Sequence, residues 1–108
     1  MADFTIKQND DSPAFERTLS DSSGTAINLT GSTVRFHLYD QTRDTAKIDA
    51  AATITDAANG VVVYTWAAGD TDTVGWYWGE FEVTYSDTTV ETFPNSGYIS
   101  VKVTPELA

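Results

Sequence analysis

An all-β fold is what this sequence predicts, and three observations carry the prediction. Short runs of alternating apolar and polar residues recur along the 108 residues, separated by turn signals, while helical periodicity is nearly absent. Hydrophobic residues make up 41% and aromatics 12%, enough to bury a core in one domain of ordinary size. Third, Thr71 to Val83 read T-D-T-V-G-W-Y-W-G-E-F-E-V, where an acidic turn leads through Gly75 to Tyr77 and then into alternation. That is the pattern of a tyrosine corner, in which the phenol hydroxyl bonds the backbone just upstream while the ring joins the core. Asp72, Gly75 and Tyr77 would form it. Together these observations predict an immunoglobulin-like antiparallel β-sandwich of seven to nine strands, one domain over residues 1–108. The same strands could instead curl into a barrel.

Each element follows from local chemistry. Phe4 to Lys7 reads as a first edge strand, and the acidic loop Gln8 to Ser12 leads to Pro13, which suits a strand start or edge. Ala14 to Ser20 alternates with Phe15 and Leu19 on one face. Asp21-Ser22-Ser23-Gly24 is a turn, because Asp and Ser bond their own backbone and Gly accepts positive φ. Ile27 and Leu29 are expected to plug the core. Thr33 to Asp40 is the clearest half-buried strand, with Val34, Phe36 and Leu38 on one side and Arg35, His37 and Tyr39 on the other. Lys47 to Thr55 is anchored by Ile48 and Ile54, and its run Ala50-Ala51-Ala52 is open to either strand or a helical turn. Asn59-Gly60 closes a hairpin into Val61 to Trp66, with Val62, Tyr64 and Trp66 inward. After the corner, Tyr77, Phe81, Val83 and Tyr85 face the core. Ser86 to Thr89 is a hairpin turn, Val90 to Phe93 returns, Pro94 to Gly97 bends, and Ile99, Val101 and Val103 make the last strand.

Sixteen acidic against six basic residues leave a net charge of −10. Nucleic acid needs the opposite sign, since phosphates are neutralised by Lys and Arg, and anionic membranes are disfavoured for the same reason. The excess of acid suits solubility through self-repulsion, or a salt-rich habitat in which screening relieves that repulsion. Cysteine is absent, so a sandwich here must hold without an inter-sheet disulfide. No apolar run is long enough to span a membrane, and Met1-Ala2-Asp3 begins no signal peptide.

Reactive chemistry has little to work with. There is one histidine, His37, flanked by Phe36 and Leu38, and no nucleophile elbow or phosphate loop. Glu80 and Glu82 lie side by side on one strand face rather than across a cleft, unlike the carboxylate pair of a glycosidase. Asp70 and Asp72, or Asp10 and Asp11, do not match a calcium-loop spacing. No catalytic residue, metal ligand or cofactor is expected. Trp76 and Trp78 are the exception to this blandness. They fall on the face opposite Tyr77, together with Glu80 and Glu82, near Arg35, His37 and Tyr39 of the preceding strand and flanked by Ser100 and Lys102. Burying each tryptophan against a partner would return a few kcal/mol by area, on the order of 25 cal/mol per Å². Interfaces are enriched in Trp, Tyr and Arg for this reason. A loop of the same chain covering them, or a sugar-stacking platform, are the competing readings. The interface candidates are therefore Trp76, Trp78, Arg35, His37, Tyr39 and Lys102.

Across nearly its whole length the chain resembles a known family. The matching segments, in order, are Asp3 to Gln8 with Asp10, then Asn28-Leu29-Thr30-Gly31-Ser32-Thr33-Val34-Arg35-Phe36, then Asn59-Gly60 ahead of Tyr64, Thr65 and Trp66. Gly69-Asp70-Thr71, Gly75-Trp76-Tyr77 and Glu91-Thr92-Phe93-Pro94-Asn95 complete the series. These are similar to the immunoglobulin-like domains of tailed-virus tail and baseplate proteins, in particular the N-terminal domain of the baseplate upper protein family. The resemblance implies a virion part of the tail or baseplate that assembles with copies of itself or with other virion proteins, and no enzymatic activity. Family members are often the front of a longer polypeptide, so a chain ending at Ala108 would leave any receptor-binding portion to another protein. A capsid decoration or turret element, and a carbohydrate-binding module, are the rival assignments.

Overall fold

A computed structural model of the protein describes residues 2–107. Those residues form eight strands and no helix: β1 (Phe4–Lys7), β2 (Phe15–Thr18), β3 (Thr33–Asp40), β4 (Ala46–Asp56), β5 (Val61–Tyr64), β6 (Gly75–Thr84), β7 (Val90–Phe93) and β8 (Ile99–Thr104). The hydrogen-bonded order is β1-β8-β6-β3-β4-β5-β2, with β7 continuing along the same edge of β6 that β8 occupies lower down. The all-β expectation holds. The ladder is one continuous path that curls until its two ends approach, the rings of Phe4 on β1 and Phe15 beside β5 lying 4.9 Å apart.

The turn of that path is made by β4. Its first half pairs with β3 from Ala46 to Ala52, and its second half pairs with β5 from Thr53 to Asp56, so one strand serves two neighbours in succession. Irregular registers near Leu38/Tyr39 and Ile54/Asp56 accompany the bend, as bulges do where sheets curve. The run Ala50-Ala51-Ala52 is strand and not a helical turn. Ala50 lies opposite Phe36 and Ala52 opposite Val34, and small side chains there leave room for the large residues of β3.

One pairing departs from the antiparallel expectation: β1 runs parallel to β8, Phe4 opposite Val101 through Lys7 opposite Thr104. Parallel neighbours cannot be joined by a tight turn. Here the whole chain separates them, so no local signal betrays the pairing. Asp3 N–H to the Ser100 carbonyl (2.9 Å) and Gln8 N–H to that of Thr104 (2.7 Å) extend the ladder at both ends. Strands β2 and β5 are shorter than expected. The predicted run through Trp66 stops at Tyr64, although Trp66 still turns its ring inward and donates from Nε1 to the Pro13 carbonyl at 3.0 Å.

The core is aromatic at its centre. Phe36 is fully buried, with Tyr64, Phe81, Phe15 and Trp66 at ring-centroid distances of 4.8, 4.9, 5.8 and 6.1 Å. Tilted and edge-on rings at such spacings are favourable beyond their area. Leu29, Leu38, Val62, Val83, Ile99, Val101 and Val103 close around them. Gly60 allows the β4–β5 hairpin to tuck under the 19–29 segment. Its φ is +71°, and an added Cβ would stand 2.7 Å from the carbonyl oxygens of both Leu19 and Ile27.

Candidate functional site

Strand β6 is the spine of the site. Its inward residues Tyr77, Gly79, Phe81 and Val83 are buried and the intervening ones half-exposed, so Trp76, Trp78, Glu80 and Glu82 form one outward row. The upstream anchor of that strand is Tyr77, whose hydroxyl donates to the Thr73 carbonyl at 2.7 Å while its ring stays 6% exposed. Burial raises the Tyr77 phenol above its ordinary value, against the lowering influence of nearby Lys47. Asp72 accepts from Lys47 and from Thr73 Oγ1, and these bonds, the lysine first, hold its carboxyl below the usual range. Gln8 Nε2 donates to the Asp72 carbonyl at 2.9 Å, and Thr71 Oγ1 to that of Asp10 at 2.7 Å, so the acidic loops are clasped together. Asp70 accepts from the Tyr64 hydroxyl and from the Ala67 N–H (2.8 Å), and burial, then that bond, pushes the Tyr64 phenol up.

The neighbours of the row are set by register. Across β3, Tyr39 lies opposite Trp78, His37 opposite Glu80 and Arg35 opposite Glu82; across β8, Lys102 lies opposite Trp76 and Ser100 opposite Trp78. Lys102 Nζ stands 5.0 Å over the Trp76 ring, a cation–π distance. Arg35 turns away from β6 and grips Asp49 on β4, Nε to Oδ1 at 3.0 Å and Nη2 to the Asp49 carbonyl at 2.8 Å. That grip is the main reason the Asp49 carboxyl sits low. His37 is held between Asp49 (3.3 Å) and Glu80 (3.8 Å).

Two residues that the sequence did not single out complete the face. Tyr98, from the loop between β7 and β8, packs against Trp78 at 6.0 Å and remains 45% exposed. Arg43, from the turn between β3 and β4, lies 5.8 Å over the Tyr98 ring. With Tyr39, Trp78 and Glu80 they line a shallow groove of about 170 Å³. A loop of the same chain therefore shields Trp78 in part without covering it. Both residues lie in turns, where neither alternation nor register reveals direction. The only clue was composition: an aromatic ending the turn after Pro94, and a cation in a polar turn.

The carboxylates lie side by side, and among the described residues no group of three His, Asp or Glu is placed to hold a metal ion. A family model described as the BppU N-terminal domain matches residues 2–100. The chain belongs to that family. That family is the N-terminal domain of the phage baseplate upper protein, so the chain is a phage baseplate protein domain. The segments that carried the resemblance map onto β1, the approach to and start of β3, the β4–β5 hairpin, the corner, and β7 with the bend after it. Among solved structures, CopC from Methylosinus trichosporium OB3b is similar in fold, with a TM-score of 0.58 at 15% identity, covering 100% of this chain and 89% of that one. At that identity the likeness concerns the fold alone. No curated protein matches the chain.

Proposed function

We propose that this baseplate domain is a non-enzymatic structural part of the virion. In this reading, the outer face of β3, β6 and β8 seats neighbouring tail or baseplate proteins within a symmetric assembly. The curled sheet then serves as an immunoglobulin-like sandwich, with β4 crossing from one layer to the other. One observation carries the reading within the family: a partly exposed aromatic row, Trp76 and Trp78 with Tyr39 and Tyr98 beside it, on a strongly acidic chain. Apolar rings concentrated on one face are costly in water and mark contact surfaces. Arg35, His37 and Lys102 frame them with charge.

The test is incorporation. Phage carrying Trp76→Ala and Trp78→Ala together should assemble particles depleted of this protein, measured by quantitative mass spectrometry of purified tails. Undiminished incorporation, combined with loss of binding to a glycan panel, would move the protein to the carbohydrate-binding class. Recovery of the protein with isolated heads instead of tails would place it on the capsid.

A further inference from the structure

We infer that the Trp76/Trp78 face pairs with the same face of a second copy across a two-fold axis; the inference rests on the contact role just proposed. The chain carries an excess of ten acids, so two copies repel over most of their surface. This face is different. Arg35, Arg43 and Lys102 stand there among Asp49, Glu80, Glu82 and, bonded to Ser100, Asp3, so the charge of this face is close to balanced and two copies can approach through it with little net repulsion.

The charges are also ordered along the strand. The outward row of β6 runs Trp76, Trp78, Glu80, Glu82, with Lys102 beside its first residue and Arg43, over Tyr98, lining the groove at its middle between Trp78 and Glu80. Arg35 is engaged by Asp49. Among the described residues, neither Arg43 nor Lys102 has a carboxylate within 4.0 Å, and neither Glu80 nor Glu82 has a lysine or arginine that close. One end of the row is thus cationic and aromatic, and the other acidic. A two-fold axis passing between Trp78 and Glu80 superposes opposite ends. It sets Lys102 against Glu82 of the other copy and Arg43 against Glu80, with the aromatic rings covered between them. Such an isologous contact is self-complementary by construction, because each pair occurs twice.

Charge swapping tests this directly, by sedimentation equilibrium of the whole chain from about 10 μM to about 1 mM, the upper limit corresponding to a weak but specific contact. The native chain should form a dimer that weakens as salt is raised. Lys102→Glu alone and Glu82→Lys alone should each weaken it about tenfold or more, by placing like charges opposite one another. Mixing the two single variants should restore a heterodimer, since every cross-pair is then of opposite sign. Lys102→Gln and Glu82→Gln give milder versions, and circular dichroism checks that each chain is folded. A native chain that stays monomeric across the range, or single variants that fail to restore dimer on mixing, would overturn the inference. A monomer whose Trp76/Trp78 variant is nevertheless lost from particles would reject self-pairing and leave the contact role intact.

Discussion

Replacing Tyr77 by Phe isolates the corner that launches β6. The ring is 6% exposed and would stay in place, so the apolar burial is unchanged and only the 2.7 Å bond from the hydroxyl to the Thr73 carbonyl is lost. Thr73 itself is exposed, so its carbonyl can turn to water instead of being stranded. The expected loss is therefore the net worth of one hydrogen bond, about 1 kcal/mol, and not the ~3 kcal/mol of an acceptor cut off from solvent. In a chain of this size that corresponds to about 4 °C in Tm. Urea unfolding followed by tryptophan fluorescence reads it as a lower midpoint with unchanged slope. An unaltered midpoint would refute the view that the hydroxyl anchors the strand. A loss well above ~3 kcal/mol would refute the solvent argument for Thr73.

Two further outcomes follow from the core and from the phenols. Gly79→Ala would set a methyl 3.3 Å from both Leu38 Cδ1 and Phe36 Cε1, and Phe36 is boxed by four other rings, so overpacking of about 1 kcal/mol should exceed the backbone-entropy gain and lower the urea midpoint. Stability should also fall above about pH 10, the value of an unfolded tyrosine. Burial raises the folded phenols of Tyr64, Tyr77 and Tyr85, Tyr85 up to about 12 with help from its 2.6 Å bond to Glu91. Above pH 10 the unfolded chain loses protons that the folded chain keeps, so the slope of stability with pH is negative there and the contribution is spent once the folded phenols ionise. Tyr85→Phe should flatten part of that alkaline decline in pH-resolved thermal melts; an unchanged decline would rule Tyr85 out as a contributor.

Much of the strand layout was legible because burial on one side leaves a period of two. Strands β1, β3 and β7 lie where alternation and turn residues put them, and the neighbours of Trp76 and Trp78 were readable once β6 was placed between β3 and β8. What escaped was set at a distance. Alternation is silent on the parallel seam of β1 and β8 and on the bend within β4, whereas it did place Trp66 in the core although the strand itself stops at Tyr64. The same holds at the site: Tyr98 and Arg43 arrive from turns, and Arg35 chooses Asp49 over the Glu82 directly opposite. Side-chain preference among several acids within reach is decided by geometry that residue order does not encode.

The parallel seam has a consequence for the order of events on the ribosome. Chains emerge N-terminus first, yet Phe4–Lys7 has no ladder partner until residues up to Thr104 have left the exit tunnel. The first strand of this domain to be made is thus the last that can dock, and Phe4 and Ile6 must wait in water while the hairpins of the middle take shape. Closure of the domain becomes a single late step that waits for its last strand, the slow, long-range kind of contact that limits the folding of β proteins.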